Sequence, residues 1–181
     1  ATVKGSQVDY NGSPAGYTQD PQEHIVYAEA HDNQTLYDII TYKLPLTTTM
    51  ADRVRYQTLG LDVVLLSQGV PFIHAGSEML RSKSFDRDSY NSGDWFNKLD
   101  FTYLSNNYGV GLPVEGVNGS NWNLIQPRLA NASLKPAQAD IVASLAHIVN
   151  TLRIRKSSPL FRLQSEADIM ARLSFYNTGA T

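Results

Sequence analysis

The sequence predicts an α/β fold built on a parallel sheet. Two observations carry that expectation. The runs "HIVYAEA" (residues 24–30) and "VPFIHAG" (residues 70–76) are short and almost wholly apolar, and two helix-like segments lie between them. Strands with one solvated face alternate apolar and polar residues. Continuous apolar runs separated by helices are instead the pattern of a parallel sheet covered on both faces. The length of 181 residues is enough for one ordinary domain with a core.

The elements follow in order. Residues 1–23 read as loop, because "YNGSPAG" stacks turn formers. The first apolar run is the first strand. Leu36, Ile39 and Ile40 then stand at helical spacing within residues 33–43, and Pro45 closes that segment. Residues 49–68 form a stronger helix, opened by Thr49 and Asp52 as a capping box with Asp in place of the usual Glu. Leu59, Val63 and Leu66 line one face, Leu61, Val64 and Leu65 widen it, and Gly69 stops it before the second strand. Residues 78–134 show little periodicity yet hold Tyr90, Trp95, Phe96, Phe101, Tyr103, Tyr108 and Trp122. Disordered segments lack such aromatics, so this stretch reads as an ordered loop over one end of the sheet. Ser133 and Pro136 announce a helix over residues 136–156, with Ile141, Leu145, Ile148 and Leu152 as its buried face. Arg153, Arg155 and Lys156 suit the negative end of its dipole. Ile169, Leu173 and Phe175 suggest a strand ahead of a turn at residues 177–179, opening a second, β-rich domain.

Composition narrows the function. Hydrophobic residues make up 42% and charged residues 18%, as in a globular chain, and the formal charge of −2 offers no electrostatic case for nucleic acid. No apolar run approaches the ~20 residues of a membrane-spanning helix. There is no cysteine, so neither a disulfide framework nor thiolate chemistry applies. Both ends read as cuts inside a larger protein: no signal peptide opens the chain, and "FYNTGAT" stops just after a strand-like pattern.

Several residues invite a chemical reading. His31 and Asp32 stand side by side in "EAHDNQTLYD", just after the first strand and before a helix. Asp is a favoured N-cap, which gives the pair a purely structural explanation. The chemical explanation is positional, because ligand sites of parallel α/β proteins gather at the C-terminal ends of strands. There an Asp stabilises a cationic transition state and a His donates hydrogen bonds to hydroxyls. His74 ends the second strand, where a lone His in an apolar run is more often a satisfied core residue. His24, His31, His74 and His147 show no HExxH pairing, which argues against zinc. "DRDSYNSGD" (residues 86–94) misses the EF-hand template, though a looser calcium site stays open. "SKSFDR" reads as a mixed-charge surface piece. No GxGxxG, Walker or GxSxG motif is present.

Three stretches, "YAEAHDNQTLYDII", "QGVPFIHAGSEMLRSKSFDRDSYNSGDWFNKLDFTY" and "NNYGVGLP", closely resemble type I pullulanases and plant limit dextrinases. "VDYNGSPAGYTQDP" and "RIRKSSPLFRL" extend the resemblance over nearly the whole chain. These are α-1,6-glucan debranching enzymes of the α-amylase superfamily, glycoside hydrolase family 13. The resemblance implies a (β/α)8 TIM barrel followed by a C-terminal β-sandwich. Residues 1–160 would hold strand–helix units 7 and 8 with a long loop after strand 8, and residues 161–181 the start of the β domain. It also implies a retaining mechanism with three carboxylates. Asp32 matches the one that stabilises the transition state, and His31 the histidine that bonds the sugar being cleaved. Asn33 adjoins them as a substrate contact. Asp88 and Tyr90 fall in the loop where the family holds a neighbouring glucose, and Glu78 matches a structural residue at the edges of the site. The nucleophile Asp and general-acid Glu of the family have no counterpart here. A barrel of this kind typically needs ~250 residues, so the remainder of the same enzyme is the expected partner and the isolated chain is expected to be inactive. The implied substrates are pullulan, limit dextrin and amylopectin. No metal and no cofactor is required, with calcium left open. The implied location is secreted or cell-surface for a bacterial protein and plastid for a plant one. The competing reading is a non-catalytic carbohydrate-binding or structural fragment.

Overall fold

A computed structural model describes residues 3–176. A small antiparallel hairpin comes first, β1 (Asp9–Tyr10) with β2 (Ser13–Pro14). β3 (Ile25–Val26) follows, then α1 (Leu36–Lys43), α2 (Met50–Leu66) and β4 (Val70–Pro71). β3 and β4 pair in parallel, Ile25 opposite Val70 and Val26 opposite Pro71. Parallel neighbours need a crossover connection, and α1 and α2 supply it. Gly69 turns the chain into β4 at φ +96°, where an added Cβ would lie 2.6 Å from the His24 carbonyl oxygen. Only glycine combines that dihedral with that closeness.

The parallel pair is not covered on both faces, as the apolar runs suggested. Ile25, Tyr27, Val70 and Phe72 share one face by alternation and register, and all four are 42–59% exposed. Tyr27 and Phe72 meet edge to face there, ring centroids 6.3 Å apart. On the opposite side Ile73 and Leu36 pack against Leu61, Leu65 and Ile148. That cluster joins α2 to α5 (Gln138–Ser157). One face of the pair is therefore lined by helices and the other is open.

Both long helices bury part of the face expected of them, Leu61, Val64 and Leu65 in α2 and Ile141 and Ile148 in α5, and differ in the rest. In α2 the buried apolar residues are Val54, Leu61, Val64 and Leu65, while Leu59 and Val63 point outward. In α5 they are Ile141 and Ile148, joined by Ser144, Thr151 and Arg155, while Leu152 is exposed. Polar atoms explain part of this difference. Arg155 leaves its own helix end and donates to the carbonyls of Leu65, Ser67 and Gly69 at 2.6, 2.9 and 3.3 Å, closing the C-terminus of α2. Asp62 of α2 accepts from Thr151 of α5 at 2.7 Å. At the start of α2, Thr49 Oγ1 accepts the Asp52 N–H at 3.1 Å, while its hydroxyl donates to the Asp52 carboxylate at 2.8 Å.

Residues 78–134 are ordered, and more helical than a loop. They hold α3 (Glu115–Asn118) and α4 (Trp122–Leu129), which aperiodicity and the internal Pro127 had concealed. Their aromatics divide. Phe85 and Tyr108 are buried with Tyr37 in the main core, the three rings set edge to face, whereas Tyr90, Trp95 and Phe101 remain exposed. Leu134 and Ile141 complete that core, and the Tyr37 hydroxyl donates to the Leu134 carbonyl at 2.7 Å. The strand expected from Ile169, Leu173 and Phe175 is instead α6 (Glu166–Arg172), capped by Ser165, whose hydroxyl accepts the Asp168 N–H at 3.2 Å. The turn expected at residues 177–179 lies outside the described residues. No described helix is long and apolar enough to cross a membrane.

Candidate active site

The end of β3 and the segment after β4 converge through a chain of polar contacts. Its centre is Glu29, a buried carboxylate. Glu29 Oε2 accepts the Leu36 N–H at 2.8 Å, so it serves the first turn of α1 together with Thr35, whose hydroxyl accepts the Asp38 N–H at 3.2 Å. Glu29 Oε1 accepts from the Ser77 hydroxyl, and Oε2 lies 3.5 Å from His74 Nδ1. On the other edge of that ring, Arg81 Nη1 donates to His74 Nε2 at 2.9 Å. A guanidinium only donates, so Nε2 keeps its lone pair and Nδ1 carries the proton toward Glu29. Arg81 also holds the Ala75 carbonyl at 2.8 Å and the Asn97 side-chain oxygen at 3.2 Å. Asn97 in turn clasps Ser89, accepting from its hydroxyl at 3.0 Å and donating to its carbonyl at 3.1 Å.

This chain leaves His31 and Asp32 free of any capping duty. The N-cap of α1 is Thr35, three residues beyond Asp32, and Asn33 has already taken a left-handed φ of +61°. The side chains of His31 and Asp32 are 85% and 77% exposed, with Nδ1 and Oδ1 3.1 Å apart. They stand at the rim of a cleft of ≈ 330 Å³ whose wall includes His74, Arg81, Asp88, Ser89, Tyr90 and Asn97. Four of the five residues singled out in the sequence, His31, Asp32, Asp88 and Tyr90, are thereby brought together. Asn33 is not among them. It lines a neighbouring hollow of ≈ 380 Å³ that shares Asp32, and its side-chain oxygen accepts from Arg87 at 3.4 Å. A larger groove of ≈ 880 Å³ between the α1–α2 connection, α2 and α5 shares no residue with the cleft.

The stretch "SKSFDR" is interior up to Asp86, and Arg87 alone is on the surface. Ser82, Lys83, Ser84, Phe85 and Asp86 are all at or below 1% exposure. Asp38 of α1 organises it, accepting from the Ser82 hydroxyl at 2.5 Å and from the N–H groups of Lys83 and Phe85 at 2.8 and 3.2 Å. Burial pushes the Asp38 carboxyl up to about 6, against the pull of those hydrogen bonds. Burial also lowers the Lys83 ammonium, against the attraction of Asp38 and Asp86. Asp86 holds the next turn, accepting from the Asp88 N–H at 3.0 Å and the Asn118 amide at 2.9 Å. Of the acidic residues in the calcium-like stretch, Asp86 alone is tied to its own backbone, and among the described residues no three His, Asp or Glu side chains converge as metal ligands.

Sequence reasoning passed over Glu29, Arg81, Lys83 and Asn97. Their signal was weak, since a Glu at a strand end or a basic residue in a mixed-charge run is commonplace on surfaces. Glu29 ties the two strand ends together through Ser77 and His74.

Chemically, the cleft presents one exposed carboxylate beside an imidazole, a second carboxylate on the facing loop, and an exposed tyrosine ring, 84% accessible. It opens to water, so a polar, multiply hydroxylated ligand suits it better than an apolar one. Residues 103–181 match the family described as alpha-1,6-glucosidases, pullulanase-type, C-terminal. The chain is 54% identical over 178 residues to the chloroplastic pullulanase 1 of Arabidopsis thaliana, covering 98% of this chain and 18% of that protein. It is 47% identical over 180 residues to a pullulanase of Klebsiella aerogenes, covering 99% and 16%. The crystal structure of a Klebsiella pneumoniae pullulanase complexed with maltotriose matches with a TM-score of 0.90 at 46% identity, over 99% of this chain and 17% of that one. A pullulanase of an Anoxybacillus species complexed with maltotetraose matches with a TM-score of 0.60 at 26% identity, over 90% and 19%. The chain spans less than a fifth of the length of these relatives.

Proposed function

We propose that this relative of the pullulanases is one part of a debranching glycoside hydrolase that cleaves α-1,6-glucosidic bonds in pullulan, limit dextrin and branched starch. The observation that carries the reading is the convergence of His31, Asp32, Asp88 and Tyr90 on one cleft at a strand end, with Asp32 released from the helix cap to Thr35. In this reading Asp32 is the carboxylate that stabilises the oxocarbenium-like transition state, and His31 donates to hydroxyls of the sugar being cleaved. Asp88 and Tyr90 meet a neighbouring glucose, and Asn33 supports substrate from the adjoining hollow. A nucleophile and a general acid must come from elsewhere in the same enzyme, because a retaining glycosidase needs two carboxyl groups ~5–5.5 Å apart flanking the bond.

The same reading makes residues 1–160 the last two strand–helix units of a (β/α)8 barrel and residues 161–181 the lead into a C-terminal β domain. The open apolar face of β3 and β4 supports it, since a barrel wall is covered by helices outside and by other strands' side chains inside. No cofactor is required by this chemistry, and a calcium ion is compatible with it. The chloroplastic relative fits a plastid for a plant protein, and a secreted or cell-surface place is our reading for a bacterial one.

The test is reconstitution. Purified alone, the chain is expected to release no maltotriose from pullulan, and joined to the preceding part of its enzyme it is expected to complete an active hydrolase. Hydrolysis by the chain alone overturns the division of labour. The competing reading, a carbohydrate-binding fragment without chemistry, predicts glucan binding and no gain on reconstitution.

A further inference from the structure

Among the described residues, the side chains of His31 and Asp32 pair only with each other, so something else must fix their position. The interior holds them by the backbone. Lys83 is 1% exposed, and its Nζ donates to the His31 carbonyl oxygen at 2.8 Å. The same residue's own N–H is gripped by Asp38 at 2.8 Å, and the following turn, with Ser84 and Phe85 at φ +50° and +67°, is anchored by the Phe85 N–H on the same carboxylate. A brace therefore runs from α1 through Asp38 to the Lys83 backbone, and along the lysine side chain to the residue beside Asp32.

A buried ammonium is costly, and packing alone would be served by an apolar side chain of similar length. Asp38, Asp86, Glu29 and Arg81 are the charged groups that act on it, and its hydrogen bond goes to the His31 carbonyl. We propose that Lys83 is a positioning residue for the reaction, setting the His31–Asp32 backbone so that the Asp32 carboxylate meets the ring being cleaved at a productive distance. This rests on the reading of Asp32 above. Misplacement of a reacting group by about 1 Å costs on the order of 10²-fold in rate.

The experiment uses the full-length enzyme with pullulan as substrate and compares wild type, K83M, K83R and D32N. K83M is expected to lower kcat about 10–100-fold with KM within about twofold, because remote sugars still bind while the carboxylate is displaced. K83R, which keeps a cationic donor, is expected to fall between K83M and wild type at unchanged KM. A K83M enzyme with wild-type kcat, or with KM raised and kcat kept, overturns the inference. Should K83M fail to fold, K83R decides alone: a lowered kcat at unchanged KM supports the brace, and a wild-type kcat or a raised KM refutes it. D32N separates the two claims. If D32N remains active, the reading of the site falls; if D32N is inactive and K83M is as fast as wild type, only the role of Lys83 falls.

Discussion

Replacing Glu29 by alanine should loosen the start of α1 and the cleft together. Glu29 accepts the Leu36 N–H and the Ser77 hydroxyl and faces the His74 ring N–H. Hydrogen bonds to a charged group contribute ~1.5–3 kcal/mol each, but Ser77 keeps a second acceptor in the His74 carbonyl at 2.7 Å and the Leu36 N–H can turn to water. The net loss is therefore about 2–4 kcal/mol in E29A and about 1–2 in E29Q, which retains the shape and one acceptor. Hydrogen exchange in the full-length protein reads this at a single amide. The Leu36 N–H should exchange ~30-fold faster or more in E29A, since every 1.4 kcal/mol is a factor of ten, while amides in the middle of α5 change little. Because Glu29 also sets His74, and through it Arg81 and Asn97, pullulan hydrolysis should fall in parallel. Unaltered exchange at Leu36 together with unaltered activity would refute the linkage.

Two further perturbations probe buried charge. Burial raises the Asp38 carboxyl from 3.8 to about 6, so the folded protein binds that proton more tightly than the unfolded chain. Its contribution to stability is fully present below pH ~3.8 and is lost as pH rises through about 6, amounting to ~3 kcal/mol. D38N removes this titration, so wild-type stability minus variant stability should shrink from pH 4 to pH 7 in denaturant titrations, and a difference that grows with pH contradicts the assignment. R155M removes the three contacts that close the C-terminus of α2, and should cost about 2–4 kcal/mol, read as a lowered melting temperature with faster exchange at residues 67–70.

What was legible in the sequence divides along physical lines. The two long helices announced themselves by cap residues and apolar repeats, and their faces in part, through Leu61, Val64 and Leu65 and through Ile141 and Ile148. The C-terminal half of α2 is apolar on several sides, so Leu59 and Val63 read as buried alongside Leu61, Val64 and Leu65 until packing decided, and Val54 gave no signal. The strands were recognisable as apolar runs, yet only two residues of each pair in parallel, and one face of the pair is open among the described residues. At α6 two local signals conflict: Leu173 and Phe175 alternate as in a strand, while Ser165 and Asp168 form a helix cap, and the cap prevails over residues 166–172. His31, Asp32, Asp88 and Tyr90 were named in advance through family resemblance and then found lining one cleft. The network behind them was invisible because its members, Glu29, Arg81 and Lys83, are charged residues whose burial depends on long-range packing, which local composition does not report.

Under the proposed function, Asp32 is an essential carboxylate of a glucan-cleaving site. Its most direct test is kcat and KM of D32N for pullulan in the full-length enzyme. A fall in kcat on the order of 10²–10³-fold or more is expected, with KM little changed, as when a charge that stabilises only the transition state is removed. A D32N enzyme with near wild-type kcat would contradict it.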